Sequence, residues 1–185
     1  LLDEIAPVYA KTGFVRERMG ADTVNVVPHS HYETADGRWI ALACSSDKMF
    51  ARLAVAMHRP DLASDSRYAT MTARLEHRDD VNTIVAAWVR TMTLERVLAE
   101  CDQHQVPCGP IYDIKDIFED PQYRARENVM EVESRAGPIS IPSALPRMSE
   151  TPSRFKHAGV AMGHHTAEIL GVLAGIDDHT LARLR

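Results

Sequence analysis

Few of the 185 residues have the type and spacing that chemistry needs. Ser45, Ser46 and Asp47 stand in a row after an apolar run. They offer two hydroxyls and a carboxylate to a cleft wall. The same residue types are favoured N-caps of a helix, and both readings are compatible. His29 and His31 are two positions apart, and His164 and His165 are adjacent. No cysteine or histidine falls at the spacing of a structural zinc site, so no metal is expected. His29, at the end of an irregular stretch, is a candidate to face a neighbouring active site. Cys108 lies between Pro107 and Pro110 with no histidine motif alongside, and reads as a small residue in a stiff turn. Arg18 is either a phosphate or interface contact or a surface arginine. Asp36 belongs to an Asp-Gly turn and Asp47 reads as a cap. Neither is taken as a nucleophile, and no catalytic residue is assigned within the chain.

The elements that must position these groups follow from hydrophobic period. Leu1, Leu2, Ile5, Val8 and Tyr9 have helical spacing, interrupted at Pro7, with Gly13 as the stop. Residues 12–30 read as an irregular arm. Over residues 31–44 the period becomes two around Asp36-Gly37, which predicts a hairpin with a type I′ turn. Trp39, Ala41 and Ala43 alternate against Ile40, Leu42 and Cys44, so both faces of the second strand are apolar and cover is expected on both. A helix capped in the Ser45–Ser46–Asp47 row then aligns Phe50, Leu53, Ala54 and Met57, and Pro60 closes it. The segment RPDLASDSRYAT reads as a loop with one helical turn. A long helix over residues 77–90 aligns Val81, Ile84, Val85 and Trp88. Another, capped by Thr93, turns Leu94, Val97, Leu98 and Cys101 inward. VPCGPI, with two prolines, cannot be a central strand. Short helices over 113–118 and 122–126 precede short strands over 129–132 and 139–141. A Pro- and Ser-rich arm over 142–160 and helices over 166–173 and 177–185 complete the chain. The fold class is α+β: a hairpin-based antiparallel sheet with packed helices, flanked by extended arms expected to lie on missing sequence or a partner chain.

Bulk properties narrow the function classes. Hydrophobic residues make up 45% and charged residues 25%, the balance of a folded domain. The formal net charge of -5, without a Lys/Arg block, gives no expectation of nucleic-acid binding. No apolar run is long enough to span a bilayer, and no membrane partner is expected. Three cysteines, Cys44, Cys101 and Cys108, rule out a fully paired intrachain disulfide framework and fit a cytoplasmic setting. The start LLDEIAPVYA has neither an initiator Met nor the pattern of a signal peptide, so the expectation is a chain that begins inside a longer one.

Eleven landmarks occur in order: RMG from Arg18, TADGRWIALA, FARLA, RPDLASDSRYAT, ARLEHRDD, VPCGPI, EDPQYRAR, VMEVE, GPISIP, the MSETP arm and MGHHTAEIL. Together they resemble the C-terminal part of family III CoA-transferases, which include formyl-CoA transferases, carnitine CoA-transferases and α-methylacyl-CoA racemases. The resemblance implies a division into the end of a large Rossmann-like domain with its linker (residues 1–27), a small α+β domain (28–141) and a returning C-terminal arm with helices (142–185). It implies an interlocked homodimer acting on acyl-CoA and carboxylate substrates, with coenzyme A as the group carried and no metal.

The family's chemistry uses an aspartate of the large domain as a covalent nucleophile. That residue precedes the matched segment, so the chain by itself is expected to be inactive. The resemblance makes the loop at Ser45 and Ser46 a wall of the cleft, with Arg18 and His29 as further coenzyme A contacts. In the racemases a glutamate of this loop shuttles the α-proton; Ser46 occupies its place and cannot do so, which puts CoA transfer ahead of epimerisation. The stretch ADTVNVVP (residues 21–28) lacks the glycine-rich loop of formyl-CoA transferases, which argues against oxalate or formate. A non-catalytic interaction module is the remaining reading.

Overall fold

The computed structural model describes residues 3–155 and 157–183. Chain contacts divide the protein into two units, Leu1–Ile111 and Tyr112–Arg185. The boundary falls inside the stretch 28–141, so the two hairpins belong to different units.

The first unit opens with α1 (Ile5–Thr12), which Gly13 ends with a left-handed residue whose N–H donates to the Tyr9 carbonyl. Pro7 does not interrupt it. It is the third helical residue, where a missing N–H costs nothing because first-turn donors have no intrahelical acceptor. Leu1 and Leu2 lie outside the described residues. A three-stranded antiparallel sheet follows, ordered β1 (His29–Glu33), β2 (Trp39–Ala43), β3 (Cys108–Pro110). The two-proline segment is therefore an edge strand, the position where absent N–H donors are tolerated. Glu33 pairs with Trp39 in the β1–β2 register, leaving five residues to turn the chain.

That turn differs from the type I′ expectation. The Gly37 N–H donates to the Thr34 carbonyl, the Thr34 N–H to the Arg38 carbonyl, and Gly37 has φ 72° while Asp36 keeps a negative φ. This is a type I turn followed by a left-handed glycine bulge. The longer loop lets Asp36 Oδ1 accept from the Thr34 hydroxyl and from the Leu94 N–H at 3.1 Å, anchoring the hairpin to the start of a distant helix.

β2 also departs from expectation. Ile40, Leu42 and Cys44 are buried, whereas Trp39 is 44% exposed and Ala41 is exposed. One face of the sheet is covered within this chain. Against it pack α2 (Asp47–Ala56), α4 (Arg78–Val89) and α5 (Leu94–Gln103), which contribute Phe50, Leu53, Val81, Val85, Val97 and Cys101 to a single core. Ile84 and Trp88 pack at its edge. A 3-10 turn at Pro60–Ala63 buries Leu62, the one helical turn expected there. The helical spacing missed α3 (Met71–Glu76), six residues capped by Thr70, whose hydroxyl accepts from the Ala73 N–H.

The last residues of the arm before β1, 22–27, rest on this chain's own α3 and α4, while residues 12–21 are largely exposed. Asn82 Nδ2 donates to Asp22 Oδ2 at 2.9 Å, Arg78 to the Val24 carbonyl at 2.9 Å, and Arg74 Nε to the Val27 carbonyl at 2.9 Å.

In the second unit, α6 (Ile114–Glu119) begins with a capping box between Asp113 and Asp116. α7 (Pro121–Ala125) has its proline at the first helical position and is capped by Asp120. β4 (Val129–Ser134) pairs antiparallel with β5 (Gly137–Pro142), from Val129↔Pro142 to Ser134↔Gly137. The Pro- and Ser-rich stretch beyond is irregular, and π-wound turns at Glu168–Leu173 lead to α8 (Asp178–Arg183). Residues 184 and 185 of the last expected helix lie outside the described residues. Among the described residues no helix is long and apolar enough to cross a membrane.

Candidate active-site wall

The row Ser45, Ser46, Asp47 forms the turn from β2 into α2. Ser46 has extended backbone, and its hydroxyl accepts from the Met49 N–H at 3.3 Å, so it caps α2. Ser45 is exposed, with its hydroxyl 3.6 Å from Met49 Sδ. Capping engages one lone pair of Ser46 and leaves its O–H free to donate. The row therefore presents two hydroxyls at the positive end of a ten-residue helix, an arrangement suited to an anionic or carbonyl oxygen.

Strand register brings His29 to the same place. His29 pairs with Ala43, and the Cys44 N–H donates to the Pro28 carbonyl at 2.8 Å, so His29 and Ser45 lie at one end of the β1–β2 ladder. Arg18 is exposed on the arm, and no described bond ties it to this end of the sheet. The structure thus gathers His29, Ser45 and Ser46 and leaves Arg18 apart.

The residue that sequence reasoning missed lies beneath this wall. Arg74 of α3 is fully buried. Its Nε donates to the Val27 carbonyl, Nη1 to the Tyr68 carbonyl at 2.7 Å, and Nη2 to Asp47 Oδ1 at 2.8 Å, while its guanidinium carbon stands 4.4 Å from the Phe50 ring centroid. A buried cation is tolerated when its donors are met and its charge paired, and here both hold. Asp47 is thereby engaged from below. The sequence did carry a signal: in MTARLE, Arg74 falls three residues after Met71, on the face a helix of this spacing turns inward.

A second polar chain supports β1. Tyr32 hydroxyl donates to Asn82 Oδ1 at 2.8 Å, and burial pushes the Tyr32 phenol well above its ordinary range. The cysteines, spread over the sequence, influence one another in space. Burial pushes the Cys44 thiol up to about 12. Hydrogen bonding between the two others raises Cys101 and lowers Cys108, which sits half-buried on β3. Among the described residues no group of three or more His, Cys, Asp or Glu side chains is placed to hold a metal. His164 and His165 stack edge to face at 4.8 Å in the second unit. An open cavity of about 630 Å³ in that unit, walled by Val129, Met130, Met148 and Phe155, holds none of Arg18, His29, Ser45 and Ser46.

Comparison with known proteins places this architecture. The model for CoA-transferase family III matches residues 1–166. The chain is 44% identical to the succinyl-CoA–L-malate CoA-transferase alpha subunit of Chloroflexus aurantiacus, over 100% of this chain and 44% of that protein. It is 39% identical to the corresponding beta subunit, over 99% of this chain and 46% of that protein, and 33% identical to a succinate–glutarate CoA-transferase of Agrobacterium fabrum, over 86% and 40%. Among solved structures, a CAIB/BAIF family protein from Brucella suis superimposes with a TM-score of 0.75 at 26% identity, over 94% of this chain and 44% of that one. The chain spans less than half the length of the curated relatives it matches.

Proposed function

The chain belongs to CoA-transferase family III, and on that premise we propose that it is the C-terminal part of an acyl-CoA:carboxylate CoA-transferase, with succinyl-CoA as donor and a small dicarboxylic acid as acceptor. One observation carries the reading: 44% identity along the whole chain to a succinyl-CoA–L-malate CoA-transferase subunit. An aspartate outside this chain is the nucleophile. Its carboxylate attacks the thioester carbonyl, the C–S bond breaks, and CoA leaves as the thiolate with an aspartyl–acyl anhydride behind it. The thiolate attacks the aspartyl carbonyl, releasing the donor acid and forming an enzyme thioester. The acceptor carboxylate then displaces CoA from the aspartyl group, and the thiolate takes the acceptor's acyl group, regenerating the aspartate.

Each attack puts negative charge on a carbonyl oxygen, which needs donors already in place. The hydroxyls of Ser45 and Ser46 at the head of α2 support a role for this wall in holding the substrate's carboxylate or carbonyl end, with His29 beside them. Arg18 is proposed as a contact to the phosphates of coenzyme A. Ser46 caps α2 and has no acid–base group, which leaves epimerisation behind transfer. The intact protein is further proposed to be an interlocked dimer working in the cytoplasm without a metal, with the division 1–27, 28–141 and 142–185 as its connection to a Rossmann-like large domain.

The test is transfer from succinyl-CoA to malate, citramalate or glutarate by the full-length protein, followed by chromatography of the CoA esters. New ester is expected in at least one pair, and none in any pair sinks the proposal. The 185-residue chain assayed alone should be inactive; turnover by it would refute the placement of the nucleophile outside this chain.

A further inference from the structure

We propose that Arg74 is a positioning residue that holds the substrate-facing wall in register, by bonding at once to the arm that leads into His29 and to the helix start that carries Ser45 and Ser46. This rests on the reading that the wall borders the substrate. Three geometric facts support it. The Val27 carbonyl that Arg74 binds lies two residues before His29. The Asp47 carboxylate it binds is the residue next to Ser46. The Tyr68 carbonyl, its third acceptor, fixes the loop from which α3 departs. Met71 adds a link on the same side, since Val27 N–H points to its sulfur at 3.4 Å.

The exposures are unequal: the Arg74 side chain is 0% exposed while that of Asp47 is 54% exposed. A half-exposed carboxylate is thus held by a fully buried cation. The planar fork suits this task, because three acceptors lie in different directions around one guanidinium, which a lysine ammonium on a flexible stem cannot satisfy together. The stacking against Phe50 locks the plane of that fork from the core side. Motion of Asp47 would carry Ser46 with it, and motion of Val27 would carry His29. Arg74 therefore sets the separation of the two sides of the wall without touching substrate.

The test uses Arg74→Lys and Asp47→Asn in the full-length protein, with Asp47→Glu as the conservative control. Thermal melting, KM, kcat and hydrogen exchange of the amides of residues 27–30 and 45–50 are measured on each. The expected result is folded variants with faster exchange confined to those two segments. KM for one substrate should rise about tenfold while kcat changes by less than about threefold, with partial recovery in Asp47→Glu. Lowered melting with unchanged KM and unchanged local exchange would make Arg74 a purely structural residue and overturn the proposal. If Arg74→Lys does not fold, Asp47→Asn, altered at a half-exposed side chain, decides the matter by the same readouts. A wild-type protein without transferase activity would refute the proposed function, and the exchange data would still decide whether Arg74 holds the wall.

Discussion

The two units differ most in where their apolar side chains go. In the first, strands and helices close on one core, and Ile40, Leu42, Leu53, Val85, Val89 and Val97 are at most 1% exposed. In the second, the buried hydrophobic residue among those described is Leu181, while Ile114, Leu145, Met162, Val172 and Leu173 are exposed. Both units have well-formed local structure: capped helices, a registered hairpin and ordered turns. Local propensity and capping thus suffice to define elements, but a core requires faces that meet each other.

Truncation of matched leucines is the strongest way to break this contrast. Leu53→Ala should cost about 2–5 kcal/mol in denaturant unfolding of the chain, the range for a filled core site. Leu173→Ala, at a side chain 75% exposed, should fall within about 0.5 kcal/mol. Equal losses would show that the second unit has a core after all.

A smaller effect sharpens it. Thr93 caps α5 in the first unit and Asp113 caps α6 in the second. Removing either cap with alanine costs a helix about 1 kcal/mol. Thr93→Ala should move the global unfolding midpoint, since α5 buries Val97 and Cys101 in the core. Asp113→Ala should instead accelerate amide exchange within Ile114–Glu119 and leave that midpoint in place. A shift of the midpoint by Asp113→Ala would join the two units into one cooperative system.

The smallest expected effect is on acid stability. The Thr34 hydroxyl, with the Leu94 N–H, holds the Asp36 carboxyl below the usual carboxylate range. A group whose pKa is lower in the folded state contributes stability that is complete above its unfolded value, about 3.9, and is lost as pH falls through the folded one. Asp120 and Asp177 in the second unit are also lowered, by partners within eight residues alone, whereas Asp36 adds to the nearby Thr34 hydroxyl the Leu94 N–H, 58 residues away. Asp36→Asn should therefore flatten the acid limb of the first unit's unfolding curve, measured below about pH 4, whereas Asp177→Asn should leave it unchanged. Because Asp61 and Asp65 of the same unit are lowered by Arg59 and Arg67, the wild-type limb is shared, and an acid limb unchanged in Asp36→Asn would disprove the role of Asp36.

Legibility in the sequence followed the same division. The period-two run, the Phe50/Leu53/Ala54/Met57 face and the Thr93 cap each need only neighbours within one turn, and all were readable. α3 escaped because six residues give too little period, and its central residue is charged. The Asp36-Gly37 dipeptide alone signals a turn, whereas the five-residue loop and the bond from Leu94, 58 positions away, are not visible in it. The second face of β2, at Trp39 and Ala41, is apolar in the alternation yet exposed in this chain, because alternation shows which residues are apolar, not which neighbours cover them. At the candidate site, His29, Ser45 and Ser46 were readable as polar groups at strand and helix ends. Their support by Arg74 was not, since it exists only through contacts 27 and 47 residues apart.

The belt of arm residues 22–27 has a consequence for how the candidate site is closed. Its bonds to Met71, Arg74, Arg78 and Asn82 join positions 44 to 60 residues apart. Each closes a long loop, of the same order as the loops closed by Asp36 with Leu94 and by Leu42 with Cys108. Because Val27 leads directly into His29, the wall of the candidate site takes its shape only through closures of that length, and no short stretch of the chain can form it alone.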